Sequence, residues 1–558
     1  MRMRKFTPML ALLLMAALPT MAERVKPETA RKVASTFLNS NGAKAEVQLA
    51  DLSKAAGLAN LYIFTTEPAG FVVMAADDRV QPILGYSLNS SFGTTDMPDN
   101  LRSWLQGYND QIQRAIDNQA PATAQTKRQW KELAEGNTRA ATATPVVAPL
   151  LQTKWGQEYP FNDQCPQGAV SGCVATAMAQ IMKYWEWPAS GTGTHTNENN
   201  SSQTVDFSSA TYDYDNMANL YTSYFDDNGT HHQLSNPTQA QIDAVATLMY
   251  HCGVAVDMEY GSVSLADTYY IGNRLQTYFN FSNISTDYPI HYENNNGEGS
   301  WATLLKTELD AARPMIYYGG YSWLGGIHVF VCDGYDSDDK FHFNWGWNGH
   351  YDGYFSLGNL NTGANSEAGS GNGDYTEGQN AFYGIRPNAT LPNIPENFAA
   401  TVEGQTVAIS WDAVSDAASY KLYRDGVAIA TLTTETNYTD EEVAYGEHIY
   451  AVRSVANDGS RSLAANAKVE IENSGPVVPV ASGPVVTDLQ ADIEGQNVTL
   501  SWTALTPGED VVLKYGMGKI LVIIVLPIGA NVFLPPPTLL ARPFQKSAPA
   551  LERKELMK

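Results

Sequence analysis

The stretch Gln167-Gly-Ala-Val-Ser-Gly-Cys173-Val-Ala-Thr-Ala-Met-Ala-Gln-Ile-Met-Lys-Tyr-Trp185 decides how this chain is read. From Val174 on, apolar residues fall at Val174, Ala177, Met178, Ile181, Met182 and Trp185, the spacing that lines one buried face of a helix. Ser171 and Gly172 punctuate its start, so Cys173 stands at or just before the first turn. The unpaired N–H groups and the dipole of a helix N-terminus favour an anion and bias a thiol there toward thiolate. Gln167 lies six residues upstream, where a side-chain amide could donate to a developing oxyanion.

The other 539 residues frame that stretch. A chain of 558 residues holds more than one domain. Its net charge of −24 leaves no basic surface to neutralise phosphates, which excludes nucleic acid as a partner and fits an exported protein. Met1-Arg-Met-Arg-Lys5, the apolar run Met9–Leu18 and Thr20-Met-Ala22 read as the three parts of a signal peptide over 1–22, too short in its apolar part to span a bilayer. Four cysteines, Cys165, Cys173, Cys252 and Cys332, are too few for a disulfide scaffold at this length. A Cys165–Cys173 bridge is the plain alternative to a free nucleophile at Cys173.

Residues 23–139 form a first unit. Pro27–Leu38 and Leu101–Ile116 read as helices, and Leu61–Thr65 and Phe71–Ala75 as a strand pair around Glu67-Pro-Ala-Gly70. Lying between a signal peptide and a suspected active unit, it reads as a pro-segment. The small, polar run Glu135–Pro149 reads as an exposed, cleavable linker. Residues 140–390 form the central unit. It has helices over Pro237–Cys252 and Trp301–Arg313, and strands over Met315–Tyr318, Ile327–Cys332, Phe341–Trp347 and Tyr354–Leu357. A helix-borne Cys followed by a sheet carrying His is α+β in character.

From 391 the texture changes. Val402-Glu-Gly-Gln-Thr-Val-Ala-Ile-Ser-Trp411 recurs as Ile493-Glu-Gly-Gln-Asn-Val-Thr-Leu-Ser-Trp502, with the tryptophans 91 residues apart. That period, with an early core Trp, resembles fibronectin type III modules, β-sandwiches of roughly 100 residues. The first would occupy 391–473. A Pro-rich linker covers 474–484, and an incomplete second copy 485–515. In 516–558 the alternation stops. Lys519, Arg542, Lys546, Arg553, Lys554 and Lys558 there face only Glu552 and Glu555, so the tail reads as an out-of-frame translation.

A thiol nucleophile needs a base in reach and something to orient it. His231 and His232 lie in a polar loop and His195 in a Thr/Asn-rich one; His251 reads as a helix-face residue. His328 differs, entering a strand straight after Gly325-Gly326, with Asn344-Trp-Gly-Trp347 following in a neighbouring strand. No His-Glu-x-x-His or Cys-x-x-Cys pattern is present, so the chemistry is read as needing no metal or cofactor. Cys, then His, then Asn, with a Gln six residues before the Cys, is the order of papain-like peptidases. Ser171-Gly-Cys-Val174 lacks the aromatic that papain has after its thiol. Gln167–Lys183, Gly325–Asp333, Asn344–Trp347 and Val256-Asp-Met-Glu-Tyr-Gly261 instead resemble the streptopain family of secreted bacterial cysteine peptidases, over about 25–390.

The resemblance implies an α+β papain-like catalytic domain behind an α+β inhibitory pro-domain, then β-sandwich modules. It matches Cys173 to the nucleophile, His328 to the general base and acid, and Gln167, with the backbone N–H of Cys173, to the oxyanion hole. Trp345 and Trp347 match tryptophans beside the catalytic histidine, and with Asn344 they are assigned to orienting His328. Substrate-binding positions fall at Ile327, where the family carries Gly, and near Ser264. The implied function is a secreted cysteine endopeptidase made as a zymogen. Its partners would be protein or peptide substrates and its own pro-domain, with a host protein or glycan as the partner of the fibronectin-like modules. Two rivals are an amidase or transglutaminase on the same fold, and an adhesin that keeps a protease fold.

Overall fold

The computed structural model describes residues 23–472, apart from 43–49, 67–68, 94–96, 138–141, 222, 226–230, 234–236, 283, 288–300, 320–327 and 358–378. Beyond 472 it describes only short strands between 490 and 534. The signal peptide expected over 1–22, the Gly325-Gly326 turn and Ile327 lie outside the described residues. Among the described residues no helix is long and apolar enough to cross a membrane.

One antiparallel sheet of 11 strands organises the first 390 residues. Its spatial order is Ala50–Asp51, Leu61–Thr65, Phe71–Ala75, Ile83–Ser87, Gly353–Ser356, Lys340–Asn344, His328–Asp336, Met315–Gly319, Asn380–Tyr383 and Ser285–Asp287. Pro145–Val147 pairs with the end of His328–Asp336. The N-terminal unit and the central unit therefore share a sheet, joined where Tyr86 faces Tyr354 and Gly85 faces Phe355. Gly85 is required there, because a Cβ would stand 2.6 Å from the Phe355 ring.

Alternation in the central strands sends residues to two cores. Val329, Val331 and Ile316 face helix Cys173–Trp185, packing with Val174, Met178 and Ile181. Phe330, Cys332 and Tyr317 face the other way, onto the N-terminal helix Asp99–Asp117 through Trp104. The period-2 pattern of strands buried on both faces produces this division. Tyr108 of the same helix donates to the Ser356 carbonyl at 2.6 Å, and Tyr86 to Asp336 at 3.0 Å.

Several expected elements shift. Helices run Pro27–Ser40, Asp99–Asp117, Gln239–Ala255 and Trp301–Asp310. The strand from His328 runs through Asp333-Gly334 to Asp336 by a register shift between Cys332 and Gly334. The strand expected over Phe341–Trp347 ends at Asn344, because Gly346 turns the chain at φ 75. The expected linker 135–149 is strand over Pro145–Val147. All four cysteines are free, so no Cys165–Cys173 bridge forms.

Residues 399–471 form a β-sandwich. Three strands (Ala399–Glu403, Thr406–Ser410, Asn437–Asp440) pack on four (Val427–Leu432, Ser419–Arg424, Gly446–Val455, Ala465–Ile471). Trp411 and Tyr420 meet edge to face at 5.4 Å in the core between them, with Leu422 and Val452. In the C-terminal unit, Ile520–Pro527, placed by sequence in the anomalous tail, pairs antiparallel with Asp510–Met517.

Candidate active site

Helix Cys173–Trp185 begins as its sequence predicts. Gly172 caps it at φ 86, in the left-handed region, and a Cβ there would meet the Met258 thioether at 2.8 Å. Glycine is therefore required on both counts. Cys173 opens the first turn, where backbone N–H groups lack intrahelical acceptors. The segment ahead of it is tied down. Ser171 N–H donates to the Gln157 carbonyl at 2.9 Å, and Val170 N–H to Gly261 O at 3.2 Å.

His328 starts the strand that packs on this helix. Burial opposes charge on Cys173, but the His328 charge and hydrogen bond, with the N–H groups of Val329 and Val174, outweigh it. The thiol is therefore held below its ordinary value, as a nucleophile at neutral pH requires. The other cysteines differ: burial raises Cys252 and Cys332, and pushes Cys165 up to about 12. Trp347 lies over the His328 ring, with centroids 6.1 Å apart and planes 21° from parallel. The His328 Nε2 has no hydrogen-bond partner among the described residues.

The remaining sequence candidates fall in different places. Gln167 is exposed on the 3₁₀ turn Pro166–Gly168. An amide bathed in water is not a preorganised oxyanion donor, which needs a dipole fixed in a dry site. Gln157 is 8% exposed, and its Nε2 is buried without a partner among the described residues. Its neighbours Trp155 and Gly156 pack against Asn348, just past Trp347, so it sits between the thiol side and the imidazole side. Sequence reading missed it because Gln167 satisfied a spacing borrowed from papain. The available signal was the run Trp155-Gly-Gln157, a polar residue among buried neighbours.

Asn344 does not contact His328. Its amide donates to Thr153 O at 2.8 Å and exchanges hydrogen bonds with Gln180 at 3.0 and 3.1 Å. It joins the strand to the middle of the nucleophile helix. Trp345 is fully buried, 4.4 Å from Phe330 and 5.8 Å from Trp104, on the N-terminal side of the sheet. Gly346 separates it from Trp347, so only the second Trp of the run reaches the histidine. Ser264 lies beside Gly172, but its hydroxyl donates to Val170 O at 2.6 Å and accepts from Gly261 N–H, which fixes a loop and leaves substrate to other groups. His195 is held by Asp257 at 2.7 Å and His251 by Tyr212 at 3.1 Å, both away from the thiol.

Comparison with known proteins identifies the family of the region that carries this site. Residues 155–355 match the model of the peptidase C10 family. Streptopain from Streptococcus pyogenes is 30% identical over 359 residues, covering 59% of this chain and 81% of streptopain. The chain belongs to the peptidase C10 family. C10 members are cysteine-type peptidases, and the chain is a hydrolase of that class. The thiol protease/hemagglutinin PrtT of Porphyromonas gingivalis is 31% identical over 401 residues, 67% of this chain and 43% of PrtT. The chain thus spans less than half of that relative. A fragment of prointerpain A from Prevotella intermedia is 29% identical, with a TM-score of 0.47, and covers 62% of this chain and 100% of the fragment. Residues 22–112 match the Spi protease inhibitor model, and 396–470 the rhamnogalacturonan I lyase β-sheet domain.

Proposed function

We propose that the protein is a secreted cysteine endopeptidase made as a zymogen. The observation that carries this reading is the Cys173 thiol at a helix start, held below its ordinary pKa against burial by His328. The Cys173 thiolate attacks the substrate carbonyl. The oxyanion is held by backbone N–H groups at the helix start and by the Gln157 amide, in place of Gln167. His328 protonates the leaving amine and then activates the water that releases the acyl-enzyme. Trp347 shields and orients the imidazole. The N-terminal unit 23–139 acts as the intramolecular inhibitor; its match to a protease-inhibitor model and its share in the sheet support that role. The loop holding Ser264 borders the cleft beside Gly172. The sandwich 391–473 belongs to the fibronectin type III class, and export follows from the signal-like 1–22.

The test is to express residues 23–558 as wild type and Cys173→Ala and to follow mass and casein hydrolysis. Wild type should shed a fragment ending between about 135 and 149 and gain activity, while the variant stays intact. An intact, inactive wild type that remains inactive after another protease removes the N-terminal unit would overturn the reading.

A further inference from the structure

Helix Cys173–Trp185 carries the thiol at one end, and its other end runs into the β-sandwich. Glu186 caps that end in the left-handed conformation at φ 47, with 2% of its side chain exposed. Cations from two directions meet it. Lys183 of the helix is 3.1 Å away, and Arg461 and Arg453 of the sandwich are at 2.6 and 3.5 Å. Tyr423 of the sandwich donates to it at 2.8 Å. Burial opposes the Glu186 charge, but Arg453, Lys183 and Arg461 outweigh it and hold the carboxylate well below its ordinary range.

The bonding also crosses in the other direction. Lys183 donates to Gly426 O at 3.1 Å, and Arg453 to Tyr184 O at 2.8 Å. Cationic groups at the last carbonyls complement the helix dipole. A buried ion pair contributes little net stability, yet it enforces one geometry, because breaking it strands a charge. Moving the helix by one residue, about 1.5 Å along its axis, would pull the Arg461–Glu186 bond apart. Cys173 rides on the same rod, and Gln180 grips its middle through Asn344.

We propose that the β-sandwich is a built-in brace of the peptidase, and that Glu186 is the positioning residue through which it keeps Cys173 in register with His328. The sandwich is then part of the catalytic body, not an arm on a tether. The inference rests on the Cys173–His328 reading, but its readout is thiol chemistry, so the two can fail separately.

The experiment alkylates the full chain with iodoacetamide across pH 5–9 and follows the Cys173 peptide by mass. Wild type, Glu186→Gln, Arg461→Met and Arg461→Lys are compared, with thermal unfolding recorded in parallel. Arg461→Met is the milder test, since it keeps the packing of the stem at a side chain 20% exposed. In Glu186→Gln and Arg461→Met the Cys173 rate at pH 6 should fall about tenfold, the equivalent of one pKa unit. Arg461→Lys should recover part of the loss. Folded variants whose pH profiles superimpose on wild type, with only the melting temperature lowered, would overturn the brace. If wild type alkylates readily but cuts no peptide, the peptidase reading fails and the brace stands.

Discussion

Replacing Gln157 by Ala separates the two glutamines sharply. Loss of one oxyanion-hole donor costs about 2.7–4 kcal/mol of transition-state stabilisation, or about 10²–10³ in kcat. The stability cost is small by comparison. The Gln157 Nε2 has no partner among the described residues, so the described fold loses no hydrogen bond made by that donor. What remains is about one buried methylene, about 0.8 kcal/mol. Gln167→Ala, at an exposed turn, should stay within about 0.5 kcal/mol of wild type in stability and close to it in rate. The assay is kcat and KM on a fluorogenic peptide, with active sites counted by a thiol-reactive epoxide, and a urea titration of each variant. The expected signature is a collapsed kcat, a nearly unchanged KM and a nearly unchanged unfolding midpoint for Gln157→Ala alone. A Gln157→Ala enzyme retaining a third of its kcat, or a Gln167→Ala enzyme losing as much, would refute the assignment.

Other substitutions probe the same frame. Trp347→Ala should cost about 10–100-fold in kcat by loosening His328, whereas Trp345→Ala should cost about 3–5 kcal/mol in a urea titration. Gly172→Ala combines a left-handed φ with a 2.8 Å contact to Met258, and should destabilise by about 2–4 kcal/mol. His328→Ala removes the charge that holds the Cys173 thiol down, so the midpoint of its alkylation profile should move to higher pH. Burial pushes Asp352 up to about 7. With the folded value above the unfolded one, its contribution is intact below the unfolded pKa and is lost as pH rises toward 7. Asp352→Asn should therefore flatten the fall in stability between pH 4 and 7, as read by denaturant titrations across that range.

What could be read from sequence was local. The helix start at Cys173 follows from Gly172 and a 3.6-residue period, and the strand at His328 from a run of apolar residues. The errors came where partners are chosen across the fold. Gln167 is near Cys173 in sequence, while the Ser171–Gln157 hydrogen bond brings a residue sixteen positions upstream into the site. Asn344 looked free to orient a histidine until Gln180 claimed its amide. Trp345 and Trp347 looked like one pair because a period-2 reading cannot show that Gly346 breaks it. Nothing local to Lys183 and Glu186 reveals that two arginines 267 and 275 positions downstream from Glu186 enclose its carboxylate.

The shared sheet bears on the timing of activation. Scission of the chain before Thr142 breaks none of the hydrogen bonds between Ile83–Ser87 and Gly353–Ser356, and leaves Trp104 seated among Phe343 and Trp345. On the zymogen reading proposed above, cutting and release are therefore two events. The first is chemical, and the second is the dissociation of a bimolecular complex, governed by mass action. A freshly processed sample would lag in activity behind its own cleavage and recover on dilution. The fragment added back would act as an inhibitor in trans, at concentrations set by the aromatic face it leaves bare.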